Sequence, residues 1–126
     1  MDRAQVSTWI DRYEQVWRTP GTDALREIFT EDAVYSQGPY QEPRRGLAEI
    51  SAMWEETRDG PDEAFRMTHE VIAVDGDTAV ARIEVWYGRP VKHEYRDLWV
   101  MRFAADGRCR SYEEWPFAPR QPITTA

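Results

Sequence analysis

The hydrophobic period of this chain changes once, and the change constrains the fold more than any other feature. Up to about residue 58 apolar residues recur every three or four positions; from Phe65 onward they alternate. Val6, Trp9, Ile10, Tyr13, Val16 and Trp17 predict an amphipathic helix over 4–18, which Pro20-Gly21 ends. Thr22-Asp23 can cap a second, short helix running to Ile28-Phe29, with Leu25, Ile28 and Phe29 as its buried stripe. Ala33 to Gln37 reads as a brief strand stopped by Gly38-Pro39, and Pro43 to Gly46 as a turn. Leu47, Ile50, Met53 and Trp54 give a third helix up to Asp59-Gly60-Pro61. Phe65 to Val74 and Thr78 to Tyr87 form a hairpin through Asp75-Gly76-Asp77; Glu94 to Phe103 and Arg108 to Trp115 form another through Ala105-Asp106-Gly107. Three helices followed by an antiparallel meander predict an α+β domain with helices packed on one face of the sheet.

At 126 residues the chain is expected to be one domain, 1–126, with a Pro-containing tail over 118–126. Six Trp, six Tyr and four Phe supply more ring surface than a small core needs. Either a core plus a dimer face absorbs it, or some rings line a cavity. A formal charge of −7 without a Lys/Arg cluster argues against nucleic acid and anionic membrane as partners. Cys109 is the only cysteine, so no intramolecular disulfide forms, and a reducing cytoplasm is the expected location. The first residues lack the apolar core of a signal peptide, and no apolar run approaches a membrane span. With two His and one Cys, no metal site and no cofactor are expected.

The alternation of the strands is imperfect. Arg82 and Glu84 share a parity with Val80 and Trp86; Asp97 shares one with Tyr95, Trp99, Met101 and Phe103; His69 shares one with Phe65, Met67 and Val71. Either face can look inward. If the aromatic-rich one does, Arg82, Glu84 and Asp97 are inside, and buried carboxylates must be paired or stay protonated. Otherwise Arg82 and Glu84 belong to surface ion pairs of little energetic weight.

Phe29-Thr30-Glu31-Asp32-Ala33-Val34-Tyr35, the hairpin Val74-Asp75-Gly76-Asp77-Thr78-Ala79 and the closing Asp106-Gly107-Arg108, in this order, resemble the NTF2-like superfamily in its SnoaL-like branch. The resemblance covers nearly the whole chain. It implies a cone of three helices on a strongly curved, mainly antiparallel sheet that encloses a pocket, often dimerised through the sheet's outer face. Around the pocket the chain is most similar to limonene-epoxide-hydrolase-like enzymes. Their Tyr-x-Asn, Arg-x-Asp and final Asp are matched by Tyr35-Ser36-Gln37, by Arg82-Ile83-Glu84 and by Glu114. A resemblance to ketosteroid isomerases implies that Trp99, Met101, Tyr112 and Glu114, and by alternation Asp97, face inward. Tyr13 and Trp17 resemble pocket-lining positions of the family and His69 an acid or base of related dehydratases; with Trp54 and Trp86 they are candidate ligand-binding residues, although helix-stripe aromatics and a lone strand histidine more often belong to a core.

These expectations lead to two hypotheses. One is a cofactor-independent enzyme acting on a small apolar or polyketide-like molecule by general acid–base catalysis, as an epoxide hydrolase, isomerase or cyclase does. In it Glu114 takes a proton from a water held by Tyr35 and Gln37, and Glu84, aligned by Arg82, protonates the leaving oxygen; Asp97 or His69 is the base in the isomerase and cyclase forms. The other is a non-catalytic binding or dimerisation module, since fold alone does not determine activity.

Overall fold

A computed structural model of the chain describes residues 1–58 and 64–120. Asp59-Gly60-Pro61 and most of the proline tail lie outside the described residues. The chain begins with helix α1 (Arg3–Arg18), fixed by a capping box in which Asp2 accepts from the Gln5 amide and Gln5 accepts from that of Asp2. Its buried stripe is Val6, Trp9, Ile10, Tyr13 and Val16. Helix α2 (Leu25–Ile28) is one turn long and stops a residue earlier than its apolar pattern suggested, because Phe29 already extends into strand β1 (Phe29–Ser36).

Strand β1 is longer than the sequence indicated. It pairs in parallel with the last strand, a long-range partnership that local pattern does not announce. The expected turn before the third helix contains the two-residue strand β2 (Arg44–Arg45), paired with Val34 and Tyr35. Helix α3 (Gly46–Thr57) follows, burying Ile50, Met53 and Trp54. Then come β3 (Phe65–Asp75), β4 (Thr78–Tyr87), β5 (His93–Phe103) and β6 (Cys109–Phe117), each antiparallel to the next. The glycines expected at the two hairpin tips adopt positive φ, +60° at Gly76 and +89° at Gly107.

The six strands form one curled sheet in the order β2-β1-β6-β5-β4-β3, with the three helices against its concave face. The α+β class and the cone architecture expected from the sequence are what the chain adopts. Aromatic rings dominate the core: Trp9 meets Phe29 and Phe103 edge-on at 5.6 and 5.5 Å, and Trp54 meets Tyr13 at 5.1 Å.

One irregularity sets which residues of β3 face that core. The β3–β4 ladder pairs Asp75 with Thr78 and Ala73 with Val80, but Val71 with Ala81; Ile72 is an extra residue, a β-bulge. A one-residue slip exchanges the faces of a strand. The bulge reverses β3, whose inward residues are Phe65, Met67, His69 and Val71 on one side of it and Val74 on the other; along β4 the inward parity is unbroken, Ala79, Ala81, Ile83 and Val85. Arg82, Glu84 and Trp86 turn outward.

Candidate functional site

The helices and the concave face of the sheet enclose a cavity of about 450 Å³. From α1 come Tyr13 and Trp17, from α3 Met53 and Thr57, and from the end of β1 Tyr35 and Gln37. The sheet contributes Phe65 and Met67 of β3, then Ile83, Val85 and Tyr87 of β4. Strand β5 adds His93, Tyr95, Asp97 and Trp99, and β6 adds Glu114 and Pro116.

Asp97 and Glu114 are the two acids among the described residues of this cavity. The β5–β6 register places Trp99 opposite Glu114 and Asp97 opposite Pro116, so the carboxylates are diagonal neighbours on one face, a relation that separates Cβ atoms by roughly 7 Å. Asp97 is 7% exposed and accepts the Trp99 indole N–H at 3.3 Å through Oδ2; Oδ1 has no hydrogen-bond partner. Burial raises its pKa to about 6, with the Trp99 hydrogen bond opposing. Glu114 opens into the cavity and accepts the Tyr112 hydroxyl at 3.1 Å. Burial raises it further, to about 8; the charge of Asp97 adds to the shift and the Tyr112 hydrogen bond opposes it.

Three tyrosines back this pair. The hydroxyls of Tyr13 and Tyr35 share a hydrogen bond of 2.6 Å, and the Tyr35 ring stacks on Tyr112 at 4.3 Å. Burial, then the neighbouring Glu114 charge, holds all three phenols well above their ordinary pKa, so they remain proton donors.

The structure therefore gathers Tyr13, Trp17, Tyr35, Gln37, Asp97, Trp99 and Glu114 around one cavity. Other expected members lie elsewhere. Arg82 and Glu84 are on the outer face, not inside: Arg82 meets Glu70 at 3.3 Å and Glu84 meets Arg96 at 3.6 Å. The inward parity of β4 is that of Ala79, Ala81, Ile83 and Val85, which pair with Met101, Trp99, Asp97 and Tyr95 of β5, so the Arg-x-Glu likeness to epoxide hydrolases supplies nothing to the cavity. Trp86 is outside too, under the Arg66 guanidinium at 4.3 Å. His69 turns toward α1, where its Nε2 lies 2.7 Å from the Ser7 hydroxyl. Trp54 and Met101 are packed in the core, and Tyr112 stands fully buried behind Glu114.

The sequence reading missed Tyr87 and His93 as lining residues, and it counted Tyr95 only as a face-mate of Asp97. Tyr87 follows from the β4 register, since it continues the inward parity of Ile83 and Val85 and pairs with Phe65. Among the described residues no three His, Cys, Asp or Glu side chains gather as metal ligands, and no helix is long and apolar enough to cross a membrane.

The sequence of residues 10–112 matches the model of the SnoaL-like domain. The chain belongs to the SnoaL-like family. No protein of curated function matches this SnoaL-like chain. Solved structures share its fold at low identity. A protein from Jannaschia sp. CCS1 described as a SnoaL-like polyketide cyclase is 16% identical, with a TM-score of 0.71 over 90% of this chain and 86% of that one. An NTF-2 like protein of unknown function from Burkholderia xenovorans LB400 is 14% identical, with a TM-score of 0.71 over 95% and 88%. The epoxide hydrolase/cyclase-like enzyme SalBIII, with a role in pyran ring formation in the polyether salinomycin, is 15% identical, with a TM-score of 0.72 over 92% and 93%.

Proposed function

We propose that this SnoaL-like protein is a cofactor-independent enzyme that acts on a small, largely apolar molecule by general acid–base catalysis. One observation carries the reading: two carboxylates share an aromatic-lined cavity and their environments separate their pKa values. At pH 7 Glu114, at about 8, keeps its proton, while Asp97, at about 6, is largely ionised. Glu114 is then the acid and Asp97 the base, the reverse of the role that the sequence suggested for Glu114.

In one turnover Asp97 accepts a proton from a C–H, hydroxyl or water of the bound substrate, and Glu114 gives its proton to the oxygen that gains charge. The net proton count is unchanged, and exchange through the cavity mouth resets the pair. Tyr112 holds the Glu114 carboxyl in place, and the hydrogen-bonded Tyr13–Tyr35 pair stands beside Tyr112. Isomerisation, epoxide opening and cyclisation all need this pair of transfers. The fold it shares with a protein described as a SnoaL-like polyketide cyclase and with SalBIII supports a small organic substrate.

Turnover of a panel of epoxides, lactones and polyketide-like ketones, followed by mass spectrometry, tests the reading. Glu114→Gln and Asp97→Asn are each expected to lower kcat by 100-fold or more, within the range that positioned acids and bases supply, while ligand binding persists. Binding of the panel without any turnover by the unaltered protein leaves the non-catalytic binding module in its place.

We further propose that the protein forms a homodimer through the outer face of the sheet. Leu98, Trp115 and Phe117 are 43%, 38% and 55% exposed there, with Leu98 directly opposite Trp115 in the ladder. The Arg82–Glu70 and Arg96–Glu84 pairs lie on the same face, an apolar patch with a polar surround that suits a self-complementary interface.

A further inference from the structure

Among the described residues the cavity holds two acids and no arginine or lysine. Elsewhere on the protein carboxylates meet guanidinium groups, as Glu70, Asp77 and Glu84 do with Arg82, Arg110 and Arg96. Among the described residues no arginine or lysine lines the cavity, and its one imidazole, His93, is exposed. Asp97 and Glu114 receive a single neutral donor each, from Trp99 and from Tyr112. Asp97 is more than nine-tenths buried, lines the cavity, and leaves Oδ1 with no donor at all. A buried carboxylate oxygen without a partner is costly and rare in a folded protein, so a group that binds here gains by bringing the missing donor.

The walls specify the donor further. Tyr13, Trp17, Tyr35, Tyr87, Tyr95 and Trp99 present rings to the same space. Ring faces attract cations, and they do so most strongly where water is excluded. An anionic ligand meets the Asp97 carboxylate and, among the described residues, no arginine or lysine. A neutral ketone or epoxide brings only acceptors, leaving Asp97 Oδ1 as it is. An ammonium brings several N–H donors and a positive charge, which satisfy the carboxylates and the rings together. The net charge of −7 also favours the approach of cations.

We infer that the ligand of this cavity carries an organic ammonium group on an apolar body, with the N–H groups directed at Asp97 and Glu114 and the body against the aromatic walls. This names the substrate class for the acid–base reading, and it rests on that reading only in taking the cavity as the ligand site.

Isothermal titration of the full chain at pH 7.5 with three probes of matched shape tests it: 2-naphthylmethylammonium, 2-naphthylmethanol and 2-naphthoate. The ammonium probe is expected to bind at least tenfold more tightly than the alcohol, with no measurable binding of the carboxylate. Asp97→Asn and Glu114→Gln, near-isosteric changes that keep the fold, are each expected to reduce that preference severalfold, whereas Arg82→Ala on the outer face leaves it unchanged. Alcohol or carboxylate binding as tight as that of the ammonium overturns the ammonium assignment and leaves the cavity as the ligand site. A preference undiminished in both carboxylate variants also overturns it, because the cation is then held elsewhere on the acidic surface. If none of the three binds at millimolar concentration, both the assignment and the reading of the cavity as a ligand site fall.

Discussion

The Arg3 guanidinium, on the first turn of α1, donates through Nη2 to the carbonyl oxygen of Ile72 at 2.9 Å, and through Nη1 to that of Val71. Ile72 is the extra residue of the β3 bulge. A bulge interrupts the ladder and leaves carbonyls without strand partners. The helix that covers the sheet thus supplies the donors that the interruption requires. Removing them by Arg3→Ala is expected to destabilise the protein by about 1 kcal/mol, the usual net value of such a bond at a solvent-accessible site. A lower urea midpoint at unchanged m-value checks this; an unchanged midpoint shows that the sheet alone holds the bulge.

Stability is expected to fall as pH rises through the window set by Glu114. Its folded pKa of about 8 lies above the ordinary 4.5, so between those values the folded chain retains a proton that the unfolded chain has released. The contribution is complete below the ordinary value and is lost as pH climbs to about 8, at up to about 1.4 kcal/mol per pH unit. Asp97 acts in the same direction over a lower window ending near 6, and the neighbouring phenols of Tyr13, Tyr35 and Tyr112 stay neutral throughout. Thermal melts from pH 5 to 9 should show Tm declining toward alkaline pH. Glu114→Gln should flatten the decline between 6 and 8; a slope as steep as in the unaltered protein assigns it to another group.

Arg82→Ala and Glu84→Ala are expected to change stability by less than about 0.5 kcal/mol each, because both sit in exposed ion pairs on the outer face. Either residue inside the cavity would strand a buried partner and cost several times more. Denaturant titration of the two variants therefore tests the β4 register directly.

Leu98→Glu is expected to convert the protein to a monomer in sedimentation velocity while its Tm stays within a few degrees of the unaltered protein in the dilute limit. Leu98 is exposed in the isolated chain, so the substitution opens no cavity in the core. A monomer before the substitution, or a dimer after it, removes this face as the contact.

How much of the site was legible in the sequence differs strand by strand. On β5 the inward parity carries Tyr95, Asp97, Trp99, Met101 and Phe103, a face that the pattern offered as one of two alternatives and the likeness to ketosteroid isomerases favoured. On β6 Glu114 follows Tyr112 at the same parity, and its family likeness points the same way. Strand β4 is ambiguous by pattern, since small Ala79 and Ala81 on one parity compete with Val80 and Trp86 on the other. Arg82 and Glu84 share their parity with Val80 and Trp86 and match the Arg-x-Asp of epoxide hydrolases, which is why they looked like site residues.

By its periods, turns and glycines the sequence determined three helices, two hairpins and the α+β class, and its family resemblance added the cone and an inward Glu114. Only the tertiary structure decided which charged residues share the cavity and how β1 joins the sheet. The reason is that a strand's side chains alternate with a period of two and both parities of β4 carry apolar residues, so its inward face is fixed only by its pairing with β5, and the parallel pairing of β1 with β6 is likewise long-range.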